Sequence, residues 1–472
     1  MAGGSEHQFG VVPFAERRGS LTMGLLWITM VTAFPGVLIG FEWCKQGFDV
    51  KQVLTCTLLS CLLLLCYSIP AGMLGACTGQ NYTMLSRSVF GSLGARLVAF
   101  NLIWVFVSFY GLAALFLAEG LVGLFHLNVP LMWLAAVLAG LMACNNFFGF
   151  KGVANFARFV AAPVLIAWVF YSFTKAIGIC PQTILAETSP KGFGTALTSI
   201  SGFIIGFAVW GNECDYWRFG KPKTLTCAVP LVVALVIGQI IFPLTGFMLA
   251  KGTGITEYGA ATAFMNQFSF GGFALAGALV LIASYFAVND SNLFGSVQAC
   301  AQLKDWSPRR WVAILAGVGT VVAAWLSVSG AARALESITS LNCVLLPTAT
   351  VIMMVEWFLC RRLFKHEVFA PLDRAPQNLR WPAIVALVTG ASVGILTAGI
   401  IPGLESFHVG ICSLQAWLTG IVIYVPLRLL EERLKSTMSV SASAPVPVPV
   451  TNAVSAHASS VERSPELSVR GR

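Results

Sequence analysis

Charged side chains are scarce in this sequence. Asp, Glu, Lys and Arg together supply 10% of its 472 residues, whereas hydrophobic residues supply 57%. So few charges cannot cover the surface of a water-soluble protein, and the apolar residues fall in long uninterrupted runs. The composition therefore excludes an ordinary soluble fold and indicates an all-α integral membrane protein.

Sequence motifs for metal binding and for ATP hydrolysis are missing as well. The 13 cysteines include no CxxC pair, and the sequence contains neither an HExxH zinc motif nor a phosphate-binding glycine loop. Most cysteines fall inside apolar runs, where cysteine serves as a small core residue. We therefore expect no enzyme activity, no cofactor and no metal site built from these residues.

Basic residues outnumber acidic ones by 29 to 20, which gives a net charge of +9. If the N-terminus is cytoplasmic, 23 of the 29 Lys and Arg residues fall in cytoplasmic segments and 6 outside. The positive-inside rule accounts for this distribution, so the charge does not indicate nucleic-acid binding. The pattern predicts a multi-pass protein of the cell membrane with both termini in the cytoplasm, and no obligate protein partner is evident.

Runs of about 20 apolar residues, the length that a helix needs to cross a bilayer, recur along the chain. They predict twelve transmembrane helices, at about 22–43, 53–75, 97–124, 129–149, 157–179, 195–216, 226–250, 271–301, 311–329, 334–360, 381–402 and 409–430. We assign residues 1–20 to a cytoplasmic N-terminal segment and residues 21–435 to one transmembrane domain. Residues 436–472, rich in Ser and Pro, are predicted to form a disordered cytoplasmic tail.

Two of the predicted helices carry interruptions at corresponding positions. Span 1 contains "TAFPGVLIGFEW", with Pro35 and Gly36, and span 6 contains "SISGFIIGFAVWGNECDYWRFG", with Gly202, Gly206 and Gly211. Broken first and sixth helices, five spans apart, are typical of an inverted five-plus-five repeat that binds its ligand where the breaks meet. Simple packing kinks are the alternative, because Pro and Gly are common in transmembrane helices.

An acidic residue lies deep inside span 8. In "ASYFAVNDSNLFGSV", Asp290 follows Asn289 and precedes Lys304 by fourteen residues, about 21 Å along a helix. A carboxylate at that depth costs several kcal/mol unless it is paired or protonated, so a functional role is the default reading. Hydrogen bonding to a neighbouring helix is the structural alternative.

Four stretches together resemble the nucleobase:cation symporter-1 family of cytosine and purine permeases. They are "FFGFKG" after span 4, "NECDYWRFG" at the end of span 6, "NDSNLF" in span 8 and "PTATVIMMVEWFLCRR" in span 10. The resemblance runs from about residue 20 to residue 430. It implies the leucine-transporter type of fold, in which a five-helix unit is repeated with inverted topology and two further helices follow.

The resemblance also implies a function. Members import nucleobases or related planar heterocycles by symport with H⁺ or Na⁺ and alternating access, and cytosine or a purine is favoured here. A planar base has two π faces and a hydrogen-bonding edge, so its site needs aromatic rings and a few amide or carboxylate groups. Asn289 and Asp290 suit the edge, and we assign both to the substrate site.

Aromatic rings for the faces are expected from helices 3 and 6. On helix 3 the residue type favours Trp104 as the family's tryptophan, whereas spacing to the "FFG" stretch favours Phe109 or Tyr110, and the choice stays open. On helix 6, Gly206 and Phe207 resemble the family's glycine-aromatic contact. Trp210 is the second choice on that helix.

The coupling cation is not decided by the sequence. In sodium-driven members, carbonyls freed by the break in helix 1 and oxygens on helix 8 bind the ion, which implies Phe34, Val37 and Ser284 here. Yet Ala287 and Val288 stand where the cytosine permease carries two threonines, which weakens the case for Na⁺.

Protons are the other choice, because a buried carboxyl group can load and unload a proton. Glu213 and Asp290 are the better candidates, Glu42 lies near the pathway, and Asp215 is expected to pair with Arg218.

Other functions stay open within and beyond the family. The ligand of the same fold could be allantoin, a hydantoin, a vitamin-like heterocycle or an amino acid. A carrier of amino acids would use freed N–H groups of helix 1 to hold a carboxylate, whereas Pro35 removes one such donor. A channel would need continuous rings of polar residues, which the sequence does not show.

Overall fold

The computed structural model of this protein describes residues 10–329, 334–364 and 378–442. Across these residues the chain is helical and forms no β-strand. In chain order the α-helices are α1 (Ser20–Val31), α2 (Phe34–Lys45), α3 (Val50–Thr78), α4 (Tyr82–Phe125), α5 (Leu131–Met142), α6 (Gly149–Phe156), α7 (Ala162–Ile179), α8 (Phe193–Ala208), α9 (Glu213–Trp217), α10 (Thr224–Leu235), α11 (Phe242–Thr253), α12 (Tyr258–Phe268), α13 (Ala274–Cys300), α14 (Pro308–Ser329), α15 (Ala334–Val355), α16 (Arg361–Leu363), α17 (Trp381–Thr397) and α18 (Cys412–Ala442). π-helical turns at Ala157–Ala161, Val236–Ile241 and Glu356–Cys360 join some of these helices end to end.

Nine helical segments of the described chain are long and apolar enough to cross a membrane, and the bent pair α1 and α2 makes a tenth. One of the nine, Leu131–Ile179, has 49 residues. At 1.5 Å per residue it is more than twice as long as the ~30 Å bilayer core. Its regular α-helix is interrupted at the 3-10 turn Cys144–Phe148 and at Gly149, where φ is +61°. This segment therefore supplies predicted spans 4 and 5, and the shorter apolar helix α17 corresponds to span 11.

The first span is broken where the sequence predicts an interruption. α1 ends at Val31 and α2 starts at Phe34, with a bend of 47° between them. Pro35 lies in the first turn of α2, where its missing N–H costs no helical hydrogen bond. Proline thus starts the second half of the span instead of kinking a continuous helix.

The sixth span is broken in the same way. α8 ends at Ala208 and α9 starts at Glu213, and Gly211 between them has a φ of +75° that favours glycine. Gly206 lies so close to α15 that an added Cβ would overlap the Thr339 carbonyl. These two glycines allow the chain to leave the helix and to approach its neighbour.

The interior of the bundle is built around α13, which packs along α4. Its buried residues include polar ones such as Ser284, Asn289, Asp290 and Asn292. By contrast, large apolar side chains such as Phe100 and Leu225 are more than half exposed, as a lipid-facing surface requires.

The C-terminal boundary differs from the prediction. α18 continues to Ala442, whereas the tail was expected to start at residue 436. An ion pair of 2.9 Å between Lys435 and Glu431, one turn apart, supports the polar end of this helix. Residues 443–472 of the predicted tail and residues 1–9 of the N-terminal segment lie outside the described part of the chain.

Candidate functional site

A small cavity, part of it open to solvent, lies where the two broken spans meet helices α4, α13 and α15. Four of its nine lining residues are aromatic and two are asparagines. The lining residues are Met30, Phe106, Phe109, Phe207, Val209, Trp210, Val288, Asn292 and Asn342. The cavity thus combines flat apolar walls with a small number of amide groups, the combination expected of a site for a small planar molecule.

Glu213 stabilises the break in the sixth span from one side. Its Oε1 accepts hydrogen bonds from the backbone N–H groups of Trp210 and Gly211, at 3.0 and 3.2 Å. Its Oε2 accepts from the hydroxyl of Tyr67 on α3, at 2.8 Å. The carboxylate is fully buried and pairs the N–H groups that the break leaves without helical partners. Glu213 therefore fixes the backbone that presents Trp210 to the cavity.

Asn342 on α15 stabilises the same break from the other side. Its Nδ2 donates to the carbonyls of Gly206 and Val209, at 2.8 and 3.1 Å. The Thr350 hydroxyl, on the same helix, donates to the carbonyl of Gly211. Carbonyls at the end of α8 are thus paired by α15, which holds the edge of the cavity in place.

The structure separates the three aromatic candidates on α4. Phe109 lines the cavity together with Phe106, whose ring meets Trp210 edge-on with a centroid distance of 5.6 Å. Trp104 is 38% exposed on another face of α4, and its indole N–H donates to Asn101 of the same helix. Tyr110 is buried with its hydroxyl directed to a backbone carbonyl of α5. Of the three, Phe109 is the one placed at the cavity.

The sixth-span candidates are brought together at the cavity. Phe207 lines it and stacks on Phe203, with ring centroids 5.3 Å apart, and Trp210 lines it as well. Gly206 contributes the close approach to α15 and a carbonyl that Asn342 binds. The roles of these residues toward a ligand stay predictions.

Asn289 and Asp290 are buried next to the cavity without lining it. Asn289 donates to the backbone carbonyl of Tyr110, at 2.9 Å, and to the sulfur of Met142. Its Oδ1 accepts from Nδ2 of Asn292, which does line the cavity. Asn289 is therefore placed to orient Asn292, and the side chain that meets the cavity lies one turn further along α13.

Asp290 connects α13 to the 3-10 turn between α5 and α6. Its Oδ2 accepts from Nδ2 of Asn145 at 2.8 Å, and its Oδ1 and backbone carbonyl accept from Nδ2 of Asn146. Amide donors of this kind offset part of the cost of burying a carboxylate. The geometry matches the structural alternative, hydrogen bonding to a neighbouring segment, more closely than direct reading of a ligand.

Of the residues predicted to bind a cation between spans 1 and 8, Ser284 lies at the break in the first span. The Ser284 hydroxyl lies at the break, where it accepts from the backbone N–H of Phe34 at 2.9 Å. Phe34 and Val37, however, belong to the first turn of α2, where their carbonyls accept from the following helical turn. The break frees carbonyls at the end of α1 instead, and that of Val31 accepts from Gln239 at 2.6 Å.

Oxygen atoms are few on the adjoining face of α13. Ala287 and Ala283 pack with Ala161 in a small apolar cluster, and Val288 faces the cavity. A hard cation prefers several oxygen ligands. Ala287 and Val288, the positions at which the cytosine permease carries threonines, supply hydrocarbon instead of oxygen ligands.

Asp215 forms a separate network at the end of α9. Its carboxylate accepts from the backbone N–H of Tyr82 at 2.7 Å and from Asn212 at 2.9 Å. Arg218 donates to the Asp215 backbone carbonyl and, at 3.0 Å, to Gln298 on α13. The expected proximity of Asp215 and Arg218 is present, and the network joins α4, α9 and α13.

Sequence reasoning did not single out Met30, Phe106, Val209, Asn292 or Asn342. Asn292 and Asn342 carried a usable signal, since an asparagine inside an apolar span is rare unless it has a partner or a ligand. The three apolar residues carried no such signal, because nothing in their type separates them from core residues.

Most of this chain matches one protein family. Residues 12–420 match the family described as permease for cytosine/purines, uracil, thiamine, allantoin. The cytosine permeases of Escherichia coli K12 and of Escherichia coli O157:H7 are each 26% identical to this chain over 401 residues, which is 83% of this chain and 90% of the permease.

Solved transporters share its architecture. Mhp1, a nucleobase-cation-symport-1 family transporter closed around bromovinylhydantoin, superimposes with a TM-score of 0.67 at 18% identity, covering 92% of this chain and 96% of Mhp1. A Na⁺-coupled sialic acid symporter gives 0.64 at 11% identity, covering 91% of this chain and 93% of the symporter. At these identities the likeness concerns the fold, and it confirms the predicted leucine-transporter-type fold.

Proposed function

Because the chain belongs to the family of permeases for cytosine/purines, uracil, thiamine and allantoin, we propose that it imports a nucleobase or related flat heterocycle by cation symport. The cavity between the broken spans is the observation that supports this substrate class. It has aromatic walls from Phe109, Phe207 and Trp210, and amides from Asn292 and Asn342. Aromatic rings hold the faces of a base by stacking, and amides pair with its edge.

Cytosine is the favoured substrate and a purine the second. The curated relatives are cytosine permeases, and Mhp1 holds a hydantoin, so allantoin, hydantoin or vitamin-like rings form the alternative class.

An amino acid is disfavoured by the contacts at the first break. A zwitterion carrier needs free N–H groups of helix 1 for the carboxylate. Here the N–H of Phe34 donates to Ser284, the N–H of Gly36 donates to the Ala33 carbonyl, and Pro35 has no N–H. The donors that would hold a carboxylate are therefore engaged within the protein.

We favour H⁺ over Na⁺ as the coupling cation. Ala283 and Ala287 pack against Ala161 and supply no oxygen atom from their side chains, and the Ser284 hydroxyl already accepts one hydrogen bond. Glu213, in contrast, is a buried carboxylate that binds the backbone of the sixth-span break directly. Protonation of this carboxylate would weaken those bonds, which couples proton binding to the shape of the cavity. Na⁺ bound by Ser284 and carbonyls of the first break is the alternative.

Location and orientation complete the proposal. The Lys and Arg distribution supports insertion in the cell membrane with both termini in the cytoplasm. Import then brings the ring from the outside to the side on which the termini lie.

Uptake by cells that express the protein tests the proposal. Labelled cytosine, uracil, hypoxanthine, hydantoin and thiamine are each supplied with Na⁺, with Na⁺ replaced by choline, and with a protonophore. We expect accumulation of cytosine that persists in choline and collapses with the protonophore. Uptake that depends on Na⁺ would favour Na⁺, bound by Ser284 and carbonyls of the first break, as the coupling cation. If none of these rings is taken up, the proposed transport function is contradicted.

A further inference from the structure

The side-chain amide of Asn342 has a fixed orientation, and its oxygen has no hydrogen-bond partner among the described residues. Both of its contacts are carbonyl oxygens, those of Gly206 and Val209, so the atom that binds them is the nitrogen. The Oδ1 atom has no hydrogen-bond partner among the described residues, although Asn342 is only 4% exposed and lines the cavity. Asn342 therefore carries an acceptor without a partner on a residue that lines the cavity.

Trp210 supplies the complementary group. Its indole Nε1–H likewise has no partner within the described chain, and the residue is 5% exposed and lines the same cavity. Phe106 contacts the ring edge-on, and Glu213 holds the Trp210 backbone. Asn342 binds the carbonyl of Val209, the residue directly before Trp210, so the donor and the acceptor are anchored to one short stretch of chain.

Unpaired polar atoms at such positions require an explanation. Most buried polar groups have a partner, and each one that does not costs about 1–3 kcal/mol. A ligand that pairs both atoms recovers that cost on binding, and a ligand that leaves them unpaired does not. A ring that pairs both atoms must carry a hydrogen-bond donor for Asn342 and a hydrogen-bond acceptor for Trp210.

We propose that Asn342 Oδ1 accepts a hydrogen bond from a ring N–H of the substrate and that Trp210 Nε1–H donates to a ring carbonyl. The inference rests on the proposed function and narrows its substrate class to heterocycles with a lactam edge, a carbonyl beside an N–H. Cytosine, uracil, hypoxanthine and guanine carry this edge. Adenine and unsubstituted purine do not, so the site discriminates against them.

Equilibrium binding to the purified full-length protein tests this assignment with two ligand pairs. Cytosine is compared with 4-aminopyrimidine, and hypoxanthine with purine, because the second ring of each pair lacks the lactam edge. We expect the wild-type protein to bind the lactam ring of at least one pair about tenfold or more tightly. Trp210→Phe keeps an aromatic ring without the donor, Asn342→Ala removes the acceptor, and each variant should reduce that preference about tenfold.

A matched control separates the contact from general damage. Trp43 is another buried tryptophan whose N–H has no partner among the described residues, and it does not line the cavity, so Trp43→Phe should leave the preference unchanged. A variant that merely disturbs packing would weaken both rings of a pair equally.

Two results would overturn the edge assignment and leave the transport function standing. One is equal binding of both rings of each pair by the wild-type protein, and the other is a preference that Trp210→Phe and Asn342→Ala do not alter. If the wild-type protein binds none of the four rings, the proposed base transport itself is contradicted.

Discussion

Phe109 and Trp104 lie on the same helix in different surroundings. Phe109 lines the cavity, whereas Trp104 is 38% exposed and bonded to its own helix through Asn101. Residue type alone favours Trp104. The packing of α4 decides which of its side chains face the cavity, and it favours Phe109. Spacing to the "FFG" stretch favours Phe109 or Tyr110, and Phe109 is the one of these two that lines the cavity.

Replacement of the ring tests this placement. We expect Phe109→Ala to raise the KM for the transported base about 5- to 150-fold, because loss of one stacking ring costs about 1–3 kcal/mol. Phe100→Ala, at an exposed position of the same helix, serves as the control. A larger increase for Trp104→Ala than for Phe109→Ala in labelled-base uptake would contradict the placement.

Asp290 was expected to read the ligand, but its contacts point to a structural role. We predict that Asp290→Ala and Asn145→Ala are coupled by about 1–3 kcal/mol in the free energy of unfolding, since each removes the partner of the other at 2.8 Å. Unfolding of the single and double variants in mixed micelles measures this coupling. Asp305→Ala, at an exposed position, is the control. Strictly additive losses would show that the two side chains do not support each other.

At the scale of elements, the two broken spans were predictable because proline and glycine leave a signal in the sequence. The exact limits were not: the first break falls at residues 32 and 33, before Pro35, so the freed carbonyls belong to α1 rather than to Phe34 and Val37. Contacts between distant helices, such as Asn342 with the sixth-span carbonyls, depend on packing that a single sequence does not contain.

The close approach of α8 and α15 gives a prediction for glycine. A Cβ at Gly206 would overlap the Thr339 carbonyl, so Gly206→Ala must separate the two helices and deform the cavity. We expect initial uptake to fall about tenfold or more at equal membrane expression. Gly202→Ala, one turn earlier on α8 with open space around its added Cβ, is the matched control. Equal uptake by the two variants would contradict the role of this contact.

The carboxylate at the sixth-span break gives a prediction for coupling. Glu213→Gln keeps an oxygen for the N–H groups of Trp210 and Gly211 but cannot release a proton. Concentrative uptake should therefore fall about tenfold or more, while exchange of internal for external base continues. Glu257→Gln, at a largely exposed carboxylate, provides the control. Unaltered accumulation by Glu213→Gln would remove Glu213 from the coupling mechanism.

At the scale of the whole molecule, the membrane class follows from composition and apolar run length, and each predicted span falls on helical residues of the described chain. The leucine-transporter-type fold followed from the resemblance and is shared with Mhp1. Two of the six predicted substrate residues, Phe109 and Phe207, line the cavity, as does the second choice Trp210, while Asn289 and Asp290 lie behind it. Polar residues in an apolar span indicate where along the sequence the site lies. Which of them face the cavity and which support it depends on how the helices pack.

Reconstitution into sodium-free vesicles tests the central claim, proton-driven import of a lactam ring through this cavity, most directly. Labelled cytosine is supplied outside while the vesicle interior is alkaline relative to the exterior. We predict accumulation above the external concentration that is abolished by a protonophore. No accumulation of cytosine, uracil or hypoxanthine under the proton gradient, or accumulation only when a sodium gradient is imposed, by protein that remains folded, would contradict the claim.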